Sequence, residues 1–373
     1  MTDNRFILQI VPQPPGDHGG VSDYARQLAG SLRDYHEIIS TFISATPASS
    51  SQSADGFAVV SPLRRVSSEV GSPVAILLHY VNYGYDPRGI PFWLPAVLRR
   101  MQTVTGKRLV TIFHELYAEG SWTQSAFWLR PVQQYLVRKI ALLSATGIVT
   151  NDTHRAQLQR LIPEARILTQ PVASNFGEPD LSLTQSQERD PHRWIICGGT
   201  DLIERSLESF LENIRHIPEN YRPRELVVMG GSDRSEIRNR LTQLRSVQTH
   251  YYPNIERDAA GQILSESTFG WIDYFHNANV PMATILKSTV FAAFCANGVI
   301  PVFPHGGSAI HLNEQTLCGP FFVNESAQSL PAASERVAVA QSLHEWYQKN
   351  ASTKQIAQKI ADIVSSPNLD SHA

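Results

Sequence analysis

GWIDYFHNANVPMATILKSTVFAAFCANGVIPVF occupies residues 270–303. An apolar run from Gly270 to Phe275 has the composition of a strand. A loop follows, and then a helical pattern that opens at Lys287-Ser288-Thr289 and ends near Asn297-Gly298. Val299 to Phe303 reads as the next strand. A cation, two hydroxyls and the unpaired N–H groups of a helix start therefore meet just beyond a strand. Such a place holds an anion, phosphate above all, without a metal. PPGDHGGVSDYARQLAG, residues 14–30, repeats the strand–glycine–helix layout near the other end of the chain.

Working outward, apolar strands alternate with helical patterns throughout. Phe6 to Val11, Glu37 to Ile43, Val74 to Tyr80, Arg108 to Phe113 and Thr146 to Thr150 read as strands. Helices are expected over Pro91 to Val104 and Ala126 to Ser144, and Asp152 reads as the cap of another. Pro171 to Arg193 is polar and aperiodic. After it the alternation restarts with Trp194 to Cys197, Glu204 to Arg215, Glu225 to Met229, Ser235 to Leu244 and a helix from about Ser334. Thr353 to Val364 carries Ile356, Ile360 and Ile363 on one face. This pattern predicts an α/β chain with parallel sheets covered on both faces. The expected division is a first domain over 1–172, a linker over 173–192, a second domain over 193–350, and a C-terminal helix and tail over 351–373 that packs back. Ligands of such sheets bind at the carboxyl ends of the strands.

A chain of 373 residues exceeds one ordinary core, which agrees with two domains. Hydrophobic residues make up 42%, and the formal net charge is -2, so no basic excess invites nucleic acid. The first residues lack the basic and apolar regions of a signal peptide, and no window approaches the ~18 apolar residues of a spanning helix. Cys197, Cys295 and Cys318 are scattered and odd in number. They read as buried thiols of a reducing, cytoplasmic compartment.

Several chemistries drop out. The first loop, with Gly16, Gly19 and Gly20, is not G-x-G-x-x-G, and no P-loop or G-x-S-x-G elbow occurs. His114-Glu115 begins like a zinc helix, but Ala118 stands where the partner histidine belongs. No D-x-D pair is present to hold a divalent ion on a diphosphate.

Four constellations remain. Gly19 and Gly20 let a substrate touch backbone, with Ser22 or Asp23 starting the helix beyond. His114 and Glu115 end the strand of LVTIFHELY, and His79 and Tyr80 end that of AILLHYVNYGY. Histidine at a crevice rim can hold a sugar hydroxyl or take its proton. Gly198, Gly199 and Thr200 follow a strand, with Arg205 in the next helix as a planar phosphate ligand. Lys287, Ser288 and Thr289 form the fourth. Pro253, Asn254 and Ile255 follow a short strand. Trp93, Trp122, Phe127 and Trp128 read mainly as core, with sugar stacking or a lipid surface as alternatives.

These residues, in this order, resemble the glycosyltransferases of GT-B fold, closest to the family 4-like group acting on nucleotide sugars. PPGDHGGVSDYARQLAGSL looks like that group's opening loop, LVTIFHEL like its strand ending in a histidine near the donor sugar, and IICGGTDLIERSL like its second-domain opening. ANVPMATILKSTVFAAFCANGVIPVF looks like its donor-phosphate helix. The resemblance implies two Rossmann-like domains with parallel sheets facing a central cleft, and no cofactor. It implies a UDP-sugar donor, a saccharide or lipid-linked acceptor and a metal-independent transfer in polysaccharide synthesis, with a peripheral membrane contact open. Two departures stand out. KSTVFAAFCANG lacks the pair of glutamates usual in retaining members, and Thr200 replaces one of two basic residues. A nucleotide-sugar epimerase and a non-catalytic nucleotide-sugar-binding scaffold are the rival readings.

Overall fold

The computed structural model describes residues 5–15, 20–46, 56–60, 63, 72–118, 125–179, 181, 189–275, 280–313 and 315–366. Two compact units divide the chain, Met1–Pro171 with Thr353–Ala373, and Val172–Ser352.

The first unit is built on β1 (Phe6–Val11), β2 (Ile39–Ser44), β3 (Ala58–Val60), β4 (Ala75–Tyr80), β5 (Leu109–Phe113), β6 (Ser144–Val149) and β7 (Ile167–Thr169). They form a parallel sheet in the order β3-β2-β1-β4-β5-β6-β7. Its helices are α1 (Gly20–His36), α2 (Asn82–Tyr85), α3 (Leu94–Thr105), α4 (Ser125–Leu143) and α5 (Asp152–Leu161). Leu98 of α3, Val137 and Ile140 of α4 and Leu158 of α5 share one core with Leu8 and Leu78 of the sheet. Ala25 and Ala29 of α1 pack separately with Val11 and Phe42. Right-handed crossovers place these two sets on opposite faces. Burial from both sides explains why the strands read as unbroken apolar runs instead of alternating ones.

The second unit contains β8 (Arg193–Cys197), β9 (Glu225–Met229), β10 (Gln248–Tyr252), β11 (Phe269–Trp271), β12 (Ile300–Phe303), the small hairpin β13 (His311–Leu312) and β14 (Gln315–Thr316), β15 (Phe321–Val323) and β16 (Gln328–Ser329). The main sheet runs β10-β9-β8-β11-β12-β15-β16, antiparallel only at its last pair. Its helices are α6 (Thr200–Asn213), α7 (Ser235–Leu241), α8 (Arg257–Glu266), α9 (Thr289–Ala296) and α10 (Arg336–Asn350). Ser174 N and Glu178, within the stretch expected to link two domains, are both tied to the Tyr347 hydroxyl of α10. The last helix, α11 (Thr353–Ser365), belongs to the first unit. It buries Ile356, Ile360 and Ile363, and its Lys359 ammonium donates to the Thr169 carbonyl at 3.2 Å.

Strand order reverses between β1 and β4 and between β8 and β11. At such switch points the crossovers diverge and leave the strand ends open to a ligand. Four expectations need correction. Asn151, not Asp152, caps α5, its side chain accepting from His154 N at 2.9 Å. The run from Gly270 is a strand only as far as Trp271, because Asp273 N finds the Ser206 hydroxyl instead of a neighbouring strand. Helix α3 opens at Leu94, with Pro95 in its first turn. Trp128 stands exposed, and Phe127 packs edge-on against it.

Gly270 shows how tightly β11 meets α9: a β-carbon there would fall 2.5 Å from the buried Phe294 ring. Gly270→Val should therefore destabilise the second unit by about 1–3 kcal/mol. Gly30, inside α1 with open space around it, should respond oppositely, and Gly30→Ala should stabilise by up to about 1 kcal/mol. Urea unfolding of the two variants, followed by circular dichroism, checks both signs.

Candidate functional site

In the first unit, the sequence-nominated histidines meet at the carboxyl ends of β4 and β5. Ser40 of β2, Gln9 of β1, His79 of β4 and His114 beyond β5 make one hydrogen-bonded row. Gln9 Nε2 donates to Ser40 Oγ at 2.8 Å, so Gln9 Oε1 faces His79 Nε2 at 2.7 Å. An amide oxygen only accepts, so His79 carries its proton on Nε2 and offers a bare Nδ1. That Nδ1 lies 3.2 Å from His114 Nε2. His114 Nε2–H donates to it, and the proton-free Nδ1 of His114 is left as an acceptor. The rings stack at 5.5 Å and 17°, and Tyr24 of α1 packs edge-on against both.

Position separates the four residues nominated here. His114 is half-buried and Glu115 exposed. His79 and Tyr80 are fully buried. Tyr80 belongs to the core against Phe113 and Tyr85. His79 is likewise enclosed, its ring nitrogens facing Gln9 and His114. Gly19 lies outside the described residues, and Gly20 is the first residue of α1.

In the second unit, the ends of β8, β9 and β10 form one rim. Gly198 N donates to Met229 O at 3.3 Å, Gly230 N to Tyr252 O at 3.0 Å, and Asn254 N to Gly231 O at 2.9 Å. Side chains are barred here: a β-carbon on Gly230 would lie 2.5 Å from the Gly198 carbonyl oxygen, and one on Gly231 2.8 Å from Thr200 N. Gly198, Gly230 and Gly231 also hold positive φ, as does Asn254 at 52°. The Thr200 hydroxyl accepts from Ser232 N at 2.8 Å, so it braces the rim. A β-carbon on Gly198 would meet Val290 of α9 at 3.1 Å, so the start of α9 abuts the same loops. Ser288 caps that helix, its hydroxyl accepting from Phe291 N at 3.2 Å. Thr289 is its first residue, and the Thr289 and Val290 amides lie at its open, positive end. Lys287, half-buried in the turn before it, has no hydrogen-bond or ion-pair partner among the described residues. Gly199 and Ile255 fall in the same loops.

The rim thus gathers the nominated Gly198, Gly199, Thr200, Asn254, Ile255, Lys287, Ser288 and Thr289. It adds Gly230 and Gly231, which sequence reading missed although MGGS after an apolar strand was the available signal. Arg205 behaves differently. It sits in the second turn of α6, not the first. Its Nε donates to Asp273 O at 2.7 Å and its Nη2 to Tyr274 O at 3.4 Å. Glu208 pairs with Arg240. Arg205 also lines a groove of about 590 Å³ between α6 and the ends of β11, β12 and β15. Glu208, Glu212, Asp273 and Glu325 line it too, and four carboxylates make it a poor seat for a pyrophosphate. The glycine rim is the better anion site.

No protein-family model and no curated protein matches the chain. Solved structures do. HepE from Anabaena, in complex with UDP and glucose, matches with a TM-score of 0.58 at 11% identity over 97% of this chain and 99% of its own. A UDP-forming α,α-trehalose-phosphate synthase from Burkholderia xenovorans matches at 0.58 and 13%, over 97% and 99%. A Listeria monocytogenes protein assigned as a UDP-N-acetylglucosamine 2-epimerase matches at 0.51 and 12%, over 99% and 98%. At such identities the likeness is one of fold. The chain has the two-unit α/β architecture of the GT-B glycosyltransferases, as the resemblance in its motifs implies.

Both histidines are held neutral. Burial lowers His114 from the ordinary 6.5 to about 4. Burial first, and then His114 beside it, holds His79 well below 6.5. The unfolded chain takes up protons below 6.5 that the folded unit refuses until about 4. Stability is therefore complete above that window and falls as pH drops through it, by at most roughly 1.4 kcal/mol per pH unit for each histidine. His114→Gln should flatten the dependence, read as the difference between wild-type and variant melting curves from acid to neutral pH. Identical slopes would contradict the account.

Proposed function

We propose that the protein is a glycosyltransferase that moves a hexose, glucose foremost, from a UDP-sugar to a saccharide or lipid-linked saccharide acceptor. The observation that supports this most is the rim of the second unit: glycines that expose backbone, the positive end of α9, and Lys287, which has no partner among the described residues. A pyrophosphate fits that chemistry, because two negative groups gain backbone donors, a helix dipole and one ammonium. The uridine end lies in this reading at Asn254 and Ile255. The bond from C1 of the sugar to the β-phosphate oxygen breaks, and the departing diphosphate gathers charge where these donors already point. The acceptor oxygen bonds to C1 and gives up its proton.

In the first unit, the bare Nδ1 of His114 is proposed to accept from a sugar hydroxyl. Glu115 is the exposed carboxylate beside it. Gln9 and His79 keep that lone pair in place. With no D-x-D pair in the chain, the charge on the diphosphate is assigned to Lys287 and the peptide dipoles, and the transfer is proposed to need no metal. A helix sequence without glutamates, KSTVFAAFCANG, leaves the stereochemical course open.

Incubation with UDP-sugars tests the reading. Free UDP with a glycosylated acceptor supports transfer, and activity should survive EDTA. An altered sugar still joined to UDP would instead favour an epimerase, and binding without turnover a scaffold. Lys287→Ala should weaken UDP binding about tenfold to hundredfold in calorimetry, the worth of one or two charge-assisted bonds. His114→Ala should lower turnover by roughly tenfold or more while UDP affinity holds. An unchanged affinity for the lysine variant would remove the cradle.

A further inference from the structure

Helix α4 carries apolar side chains on both of its faces. Leu136, Val137, Ile140 and Ala141 point into the core of the first unit. Trp128, Tyr135 and Leu142 are nonetheless 68%, 49% and 59% exposed. Their spacing of seven residues keeps them within about 20° of one line per step, a stripe roughly 21 Å long. Arg138 and Lys139 stand exposed beside them, the Lys139 ammonium lying 5.1 Å from the Tyr135 ring centre. The neighbouring α3 presents Arg99 and Arg100 to solvent, and Phe92, just before it, is 60% exposed. Both helices cover the same face of the sheet, and Gln102 Nε2 of α3 donates to Leu143 O of α4 at 3.1 Å. Their outer sides therefore form one layer.

That layer has a single sign of charge. Neither α3 nor α4 contains an aspartate or glutamate, although the chain as a whole carries 34 acidic residues and a net charge of -2. Aromatic rings and a leucine standing outward among arginines and lysines are the side-chain set of a helix that lies in a lipid headgroup region. The rings and aliphatic carbons enter the acyl boundary, and the cations meet anionic headgroups. A nucleic-acid phosphate would satisfy the cations, but it would leave Trp128, Tyr135 and Leu142 in water. We propose that the outer face of α3 and α4 is a docking surface for an anionic lipid membrane, with Trp128, Tyr135 and Leu142 inserting and Arg99, Arg100, Arg138 and Lys139 holding headgroups.

The test needs no turnover, so it fails or succeeds separately from the proposed reaction. The full chain is sedimented with phosphatidylcholine vesicles, with and without phosphatidylglycerol. The expected result is binding to the anionic vesicles alone, weakened by salt. Arg138→Glu with Lys139→Glu should cut that binding at least about tenfold, and Trp128→Ser with Leu142→Ser should do so independently. Both pairs are exposed, and circular dichroism should show them folded as wild type. Wild-type protein that stays in the supernatant overturns the proposal. So does binding that survives both pairs of substitutions, and so does binding that responds to the charges but not to Trp128 and Leu142. The last result would describe a merely electrostatic surface of the kind a nucleic acid or an acidic protein also meets.

Discussion

The second unit depends on a place where side chains cannot exist. Where β8 and β9 end, the Gly198 carbonyl oxygen approaches Gly230 so closely that a β-carbon would sit 2.5 Å from it. That closeness lets Gly198 N, Gly230 N and Asn254 N continue the sheet's hydrogen bonding past the last strand residues. Three strand ends are thereby locked into one surface instead of fraying as separate loops. The surface is made of backbone, so what it presents outward is peptide dipoles. Helix α9 can abut it because that helix is buried on every side from Val290 to Ala296. Its far end is held by Arg189, whose guanidinium donates to Asn297 O and Gly298 O.

Within this frame, two cations divide the work according to their shape. Arg205 carries a planar fork of donors, and the structure uses it on two successive carbonyls, Asp273 O and Tyr274 O. Those carbonyls belong to the segment where β11 has left the sheet, and Arg205 supplies them with donors there. Lys287 carries a single point of charge on a flexible stem and stands at the mouth of α9 without a described partner. Arg205 thus clamps the loop through two carbonyls, while Lys287 is half-buried in the turn before α9.

How much of this was legible depends on where each residue finds its partner. Phe6–Val11 and Glu225–Met229 could be placed to the residue, since an apolar run bounded by turn formers contains its own limits. The end of β11 could not, because Ser206 and Arg205, more than sixty positions away, decide it. The start of α9 was readable from Lys287-Ser288-Thr289, whereas the close approach of Gly230 to Gly198 is purely tertiary. Trp128 misled for another reason. A helix with apolar residues on both of its faces gives no clear periodic signal of which side meets the core, and only the packing of Val137 and Ile140 shows that Trp128 faces out.

The histidine row carries the same lesson into electrostatics. Sequence places His79 and His114 at two strand ends and treats them as equals. The parallel register sets Leu78 opposite Thr111 and His79 opposite Ile112, so His79 stays inside the sheet while His114 falls one step past its edge. Two imidazoles in contact, one wholly buried, cannot both be charged, since each cation would lose solvent and face the other. A buried Gln9 oxygen then settles the remaining choice, because it can accept a proton and cannot give one. The orientation of a lone pair at the edge is therefore dictated by an amide two residues further in, which itself is fixed by Ser40. A polar row of this kind has one satisfied arrangement. Replacing any inner member would therefore alter which nitrogen of His114 carries the proton, so the interior of β1 and β4 sets the chemical character of the strand end beyond β5.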